Sequence, residues 1–144
     1  MLKVNFYNPN YVGNDDYKFA VIVSRYNGKW VLCKHKNRLT YEIPGGHREK
    51  NELIEDAARR ELFEETGAVS FSLSPVCAYS VENGGMESFG MLYYAMITIL
   101  GKLPDLEIEK IELFEELPCN NLTYPLIQPK LFEKVRESLE GNYD

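Results

Sequence analysis

GHREKNELIEDAARRELFEETGA, residues 46–68, places five residues between Gly46 and Glu52 and seven between Glu52 and Arg60, followed by the unbroken run Arg60-Glu61-Leu62-Phe63-Glu64-Glu65-Thr66-Gly67. Asn51 as an N-terminal cap and Gly67 as a C-terminal stop predict a helix running to about Thr66. Each helical residue advances by roughly 100°, so Glu61, Glu64 and Glu65 fall within about 100° of one another on one face. Ile54, Ala57 and Ala58 flank the direction of Glu61, whereas Asp56 and Arg59 point the opposite way. An acidic run on a helix is ordinarily a solvated face, but this one continues the inward face. Inward carboxylates with too few basic partners repel one another, and a hard divalent cation bound by oxygen ligands supplies the missing counter-charge. Magnesium is the natural candidate, with manganese as the alternative.

Outward from this run, Thr40–Ile43 reads as a short extended stretch stopped by Pro44-Gly45-Gly46. The glycine pair is either a plain turn or a place where backbone comes close to a bound ion or phosphate. The Arg60 guanidinium suits a carboxylate such as Glu52 or Glu64. His35 and His47 are the only histidines, and His47, in the loop after Gly46, is expected to be exposed rather than catalytic.

The rest of the chain supplies strands and one more helix. Tyr17–Tyr26 is rich in β-branched and aromatic residues, Lys29–His35 alternates, and Asn27-Gly28 between them predicts a hairpin with a type I′ turn. Residues 69–81 read as a strand and 83–85 as a turn. Residues 88–100 (SFGMLYYAMITIL) are expected to form a long apolar strand, although pattern alone does not separate strand from helix there. A short strand at 109–114 and an amphipathic helix at 126–139 complete the reading. Strands interrupted by two helices predict a three-layer α/β/α sandwich with a mixed sheet.

Gly46, Glu52, Arg60, Glu61, Leu62, Glu64, Glu65 and Gly67 together fill the fixed positions of GX5EX7REUXEEXGU, so the chain resembles the Nudix hydrolase family. One departure is small: Ala68 stands at the final U, where a larger aliphatic is usual. The resemblance is specific over residues 44–69 and architectural elsewhere, and it implies the same three-layer fold. It also implies a carbonyl of Gly46 and the carboxylates of Glu61, Glu64 and Glu65 as metal ligands, with Mg2+ or Mn2+ as cofactor. Arg60 is then an orienter of the glutamates, with Glu52 supporting it. The proton of the attacking water goes to Glu61 or to a glutamate far downstream, for which Glu109 and Glu112 are the candidates.

Among family branches the chain most resembles the MutT-like nucleoside triphosphate pyrophosphatases. The expected reaction is Mg-dependent hydrolysis of a nucleoside diphosphate linked to another moiety, most plainly a normal or oxidised nucleoside triphosphate giving monophosphate and pyrophosphate. Capped-RNA, dinucleotide and nucleotide-sugar pyrophosphatases, and a binding module that senses a nucleotide without cleaving it, remain the alternatives. The proline expected in the ADP-ribose branch is absent around Glu82-Asn83-Gly84. Base recognition falls outside the box: Asn120 and Asn121 resemble the location of the base-reading asparagine of the MutT branch, and Tyr41 is among the aromatic residues available for stacking.

Length and composition set the remaining bounds. A chain of 144 residues fits one domain, 1–144, with room for a core. No apolar stretch approaches the ~20 residues of a membrane span, and the first residues do not read as a signal peptide, so a cytoplasmic location is expected. A net charge of −6 argues against general affinity for nucleic-acid duplexes. A small nucleotide bridged by metal is compatible with that charge, and the chain is expected to be a monomer or homodimer. Cys33, Cys77 and Cys119 lack metal spacing and are expected to be buried, reduced thiols.

Overall fold

The computed structural model describes residues 1–141. In chain order the strands are β1 (Lys3–Tyr7), β2 (Tyr17–Tyr26), β3 (Lys29–His35), β4 (Tyr41–Glu42), β5 (Gly45–His47), β6 (Ala68–Asn83), β7 (Met86–Leu100) and β8 (Ile108–Phe114). The helices are α1 (Ile54–Thr66) and α2 (Gln128–Gly141). The sheet runs β1-β6-β7-β2-β3-β4, with β5 added to β2 and β8 to β3. It is mixed: β2 and β7 are parallel, with Ala20 opposite Met91 and Val23 opposite Tyr94, while the other pairs are antiparallel.

Two glycine turns fix the register locally. Asn27 and Gly28 sit at φ 53° and 78°, and Gly84 and Gly85 at 61° and 83°, the left-handed values that let a two-residue turn follow the right-handed twist of its strands. Both sides of the central strands are covered, which explains why 88–100 reads as a nearly unbroken apolar run rather than an alternation. Ala20, Ile22, Met91, Tyr93 and Ala95 face one core with Ala57, Ala58 and Leu62 of α1. Val23, Leu92 and Tyr94 face the other with Trp30, Leu32, Leu131, Phe132 and Val135, the last three from α2. Small residues on both α1 and the sheet let that helix lie close to the strands. The three-layer sandwich is therefore as expected.

Some boundaries differ. Asn51 does not cap α1; it stands in a left-handed turn at φ 65°. The helix begins at Ile54, whose N–H donates to Oδ1 of Asn14 at 2.7 Å, and Asn14 Nδ2 donates to the Glu52 carbonyl at 3.0 Å. The cap comes from a short 3-10 turn before β2, a relationship that no local pattern records. β1 and β5 were not anticipated either. β5 exists because Gly45 and Gly46 lie flat against Val21 and Ala20. Cys33 and Cys77 are buried, but Cys119 is exposed, because it lies in the loop between β8 and α2 rather than in an element packed against the sheet. Among the described residues no helix is long and apolar enough to cross a membrane.

Candidate active site

β5 carries the glycines to the C-terminal half of α1. The Gly45 N–H donates to Oε1 of Glu65 at 2.8 Å, and a Cβ on Gly45 would strike the Ala20 carbonyl. A Cβ on Gly46 would collide with the Glu61 carboxylate. Gly46 is not at positive φ, so glycine is required there for space and not for an unusual dihedral. Arg48 locks the connection from β5 to α1, donating to the backbone carbonyls of Tyr17, Glu49, Glu52 and Asp15. The sequence reading did not single out this role.

Arg60 stands among the glutamates. It donates from Nε to Oε2 of Glu52 and from Nη2 to Oε1 of Glu52, both at 2.9 Å, from Nη1 to Oε1 of Glu61 at 2.8 Å, and from Nη2 to the His47 carbonyl at 2.9 Å. Glu64 is a weaker partner at 3.4 Å. The two-pronged grip on Glu52 is the geometry expected of a planar guanidinium. It holds the Glu52 carboxyl below its ordinary value, and these carboxylates hold the guanidinium above its own. Glu52 and Arg60 are thus a two-pronged ion pair beside Glu61.

The two inward glutamates show the opposite electrostatics. Burial pushes Glu65 up to about 8, although the Gly45 N–H pulls it down, and the charges of Glu61, Glu42 and Glu107 push further. Burial also raises Glu61, against the pull of Arg60. Behind Glu65, the buried Cys33 thiol donates to the Glu42 carbonyl at 3.4 Å and reaches Oε1 of Glu65 at 3.9 Å. These are ionisable oxygens held out of water with one guanidinium among them.

A cavity of about 630 Å3 opens onto this cluster. Gly46, Arg60, Glu61, Glu65 and Glu107 line it together with the apolar Phe19, Val21, Tyr79, Val81, Ile127 and Leu131 and with polar groups that include Arg38, Glu42 and Gln128. A smaller hollow next to it is bounded by Glu61, Glu64, Glu65 and Glu107. The size, and a lining that joins apolar side chains to many charged ones, suit a small polar organic ligand. Among the described residues no three acidic, imidazole or thiol groups already form a metal cage. Carboxylates that repel one another, with Glu61 turned to Arg60 and Glu65 to Gly45, account for that.

The structure brings Gly46, Glu52, Arg60, Glu61, Glu64 and Glu65 together and leaves the other candidates outside. Glu109 is paired with Lys34 at 2.9 Å on the exposed side of β8. Glu112 accepts from the Tyr41 hydroxyl at 3.1 Å, and neither residue lines the cavity. Glu109 falls at the irregularity in the β3–β8 pairing, where the register passes from Lys110 to Ile108, and Glu112 pairs in regular register opposite Leu32. Glu107, just before β8, lies in the loop that faces α1, and Oε2 of Glu107 is 3.6 Å from Nε2 of His35. Tyr41 packs edge-on against Phe114 rather than into the cavity. Asn120 and Asn121 are exposed; Asn121 holds a turn at φ 63°, and its carbonyl accepts the Tyr41 N–H at 2.7 Å. Gln128 was missed: it sits within the amphipathic helix pattern, where a lone glutamine carries no signal of its own.

The sequence profile described as NUDIX domain matches residues 16–125. A Bacillus subtilis (strain 168) protein provisionally named 8-oxo-dGTP diphosphatase YtkD is 40% identical over 108 residues, covering 74% of this chain and 68% of that one. The crystal structure of a point mutant of the Bacillus subtilis pyrophosphohydrolase BsRppH is similar with a TM-score of 0.78 and 32% identity, covering 95% of this chain and 90% of that one. A NUDIX hydrolase from Nitrosomonas europaea has a TM-score of 0.70 at 21% identity, covering 85% and 90%, and shares the fold.

Proposed function

The chain belongs to the NUDIX domain family, as a pyrophosphohydrolase, and from that premise we propose that it hydrolyses nucleoside triphosphates, normal or oxidised, to monophosphate and pyrophosphate with Mg2+. The observation that carries the reading is that one cavity of about 630 Å3 brings Gly46, Glu61, Glu65 and Glu107 together with the apolar Phe19, Val21, Tyr79 and Leu131. The phosphate end and the base end of a nucleotide both have a place.

The residues fit a hard divalent cation. Their donors are carboxylate and carbonyl oxygens, and burial, with the neighbouring charges of Glu61, Glu42 and Glu107, raises Glu65. Glu61, Glu64, Glu65 and the Gly46 carbonyl would hold the ion, which when bound supplies neutralisation of phosphate oxygens and eases ionisation of the attacking water. The protein's own work is then positional. Arg60 and Glu52 fix the turn of α1 that presents the glutamates, and Gly45 fixes one oxygen of Glu65. Glu107, outside α1 and steadied by His35, takes the proton of the attacking water as general base, with Glu61 the second candidate.

Support for this assignment comes from the provisional name of YtkD and from the retention of every glutamate of the box. The test is phosphate and pyrophosphate release from a nucleotide panel with and without Mg2+, with products separated by ion exchange. Monophosphate and pyrophosphate only in the presence of metal is the expected result. Cleavage confined to nucleotide sugars or dinucleotides would move the chain to another branch, and binding without turnover would make it a sensor.

A further inference from the structure

Glu107 lies just ahead of β8, and its side chain is 78% exposed. A carboxylate that free has many rotamers, and a base serves only when it is held close to its water. The end of β3 supplies the hold. The Lys36 N–H donates to the Glu107 carbonyl at 2.9 Å, and Lys36 Nζ donates to Oδ1 of Asp105 at 2.7 Å, which anchors the segment that carries Glu107. The pairing of β3 with β8 shifts register between Lys34 and His35, where His35 stands opposite Ile108. An irregularity of this kind re-aims a side chain, and that of His35 lines the cavity.

The backbone also fixes which nitrogen of His35 can act. Nδ1 accepts the Asn37 N–H at 3.2 Å. A backbone N–H can only donate, so the neutral ring carries its proton on Nε2. Nε2 is 3.6 Å from Oε2 of Glu107, and the imidazole itself is only 23% exposed. A hydrogen bond that orients a base is commonly long before substrate binds and tightens in the complex. We infer that His35 is a positioning residue: its Nε2–H draws on Oε2 of Glu107 and turns the other oxygen toward the attacking water. The water's proton goes to Glu107 and none passes to His35, whose acceptor nitrogen is taken by Asn37. The arginines that line the cavity are committed elsewhere, Arg38 to Glu42, Arg48 to backbone carbonyls, and Arg60 to Glu52 and Glu61. His35 acquires this role only if Glu107 takes the proton, as proposed above.

His35→Leu keeps bulk and removes the donor. It is expected to lower kcat at saturating Mg2+ about tenfold or more, with KM and the half-saturating metal concentration nearly unmoved. His35→Gln carries an amide N–H to the same region and cannot take a proton, so it should recover most of the rate. In a Glu107→Gln chain, adding His35→Leu should cost nothing further, because the group it positions is gone. Nitrogen-15 spectra read the ring without turnover: of the two histidines, the one whose signal is lost in His35→Gln should carry its proton on Nε2. Wild-type kcat in His35→Leu, or a second loss added to that of Glu107→Gln, overturns the inference and leaves the proposed reaction intact. A His35→Gln chain as slow as His35→Leu, or a ring protonated on Nδ1, overturns it too. Cleavage confined to nucleotide sugars or dinucleotides overturns the proposed reaction instead, and the same kcat pattern on that substrate supports His35 as the positioning residue. A chain that turns over nothing has no base to position and refutes both.

Discussion

The Glu61 carboxylate occupies the space where a side chain on Gly46 would begin. Gly46→Ala should therefore displace a flexible carboxylate and leave the backbone alone, lowering nucleotide hydrolysis about 100-fold with little change in the thermal midpoint. Gly45→Ala meets the Ala20 carbonyl and the Val21 Cα instead, atoms that cannot move without disturbing β2. It should cost roughly 1–3 kcal/mol of stability. Thermal denaturation and turnover of the two variants side by side separate the outcomes, and a Gly46→Ala protein as active as wild type would remove Glu61 from the reaction.

A pH-dependent weakness follows from the buried glutamates. Glu65 stands near 8 in the folded chain against an ordinary 4.5, and Glu61 is raised as well. A raised carboxylate contributes stability that is fully present below its unfolded value and lost as pH climbs through its folded one. Metal-free protein should therefore lose thermal stability between about pH 5 and about pH 8. Glu52 is lowered, so its contribution is present above about 4.5 and lost in acid, outside that window. Denaturation in EDTA across this range is the measurement; Glu65→Gln should flatten the slope and saturating Mg2+ should reverse it. A midpoint that rises steadily to pH 8 without metal contradicts the burial of Glu65.

The parts of this molecule legible in its sequence are those encoded over a few neighbouring residues. Asn27-Gly28 announces its turn because both positions need positive φ, and Gly67 ends α1 at φ 80° for the same reason. The inward face of α1 was legible from its period. What could not be read depends on segments far apart: Asn14 capping Ile54 across 40 positions, β1 pairing with the end of β6, and Gln128 meeting Ile43 across 85. Glu107 belongs with these. Its place beside Glu61 follows from where β8 begins, and a shift of two residues to Glu109 exchanges the cavity for an ion pair with Lys34.

Arg60→Lys should be far from conservative. A lysine supplies one point charge where Arg60 now holds both oxygens of Glu52, one of Glu61 and the His47 carbonyl. The loss of charge-assisted bonds at a partly exposed site should cost about 1–2 kcal/mol. The metal concentration giving half-maximal rate should rise, because Glu61 and Glu64 are no longer aligned from one side. Titration of activity with Mg2+ checks this. An unchanged metal dependence would mean that Arg60 only stabilises the fold.

The general base is the sharpest remaining test, since the sequence offered Glu109 and Glu112 downstream of the box whereas Glu107 is the one of the three that lines the cavity. Glu107 lines both the main cavity and the hollow beside it with Glu61 and Glu65. Glu109 is tied to Lys34 and Glu112 to Tyr41, and neither lines the cavity. If Glu107 takes the proton, Glu107→Gln should lower kcat by roughly 100-fold or more at saturating Mg2+ and leave the metal concentration for half-maximal rate nearly unmoved. Glu109→Gln and Glu112→Gln should stay close to wild type in both quantities. If Glu61 is the base instead, Glu107→Gln remains active and Glu61→Gln alone loses kcat when metal is saturating. A strong kcat defect in Glu112→Gln, with its circular dichroism and melting unchanged, would show that β8 presents its other face in solution and would overturn the assignment of Glu107.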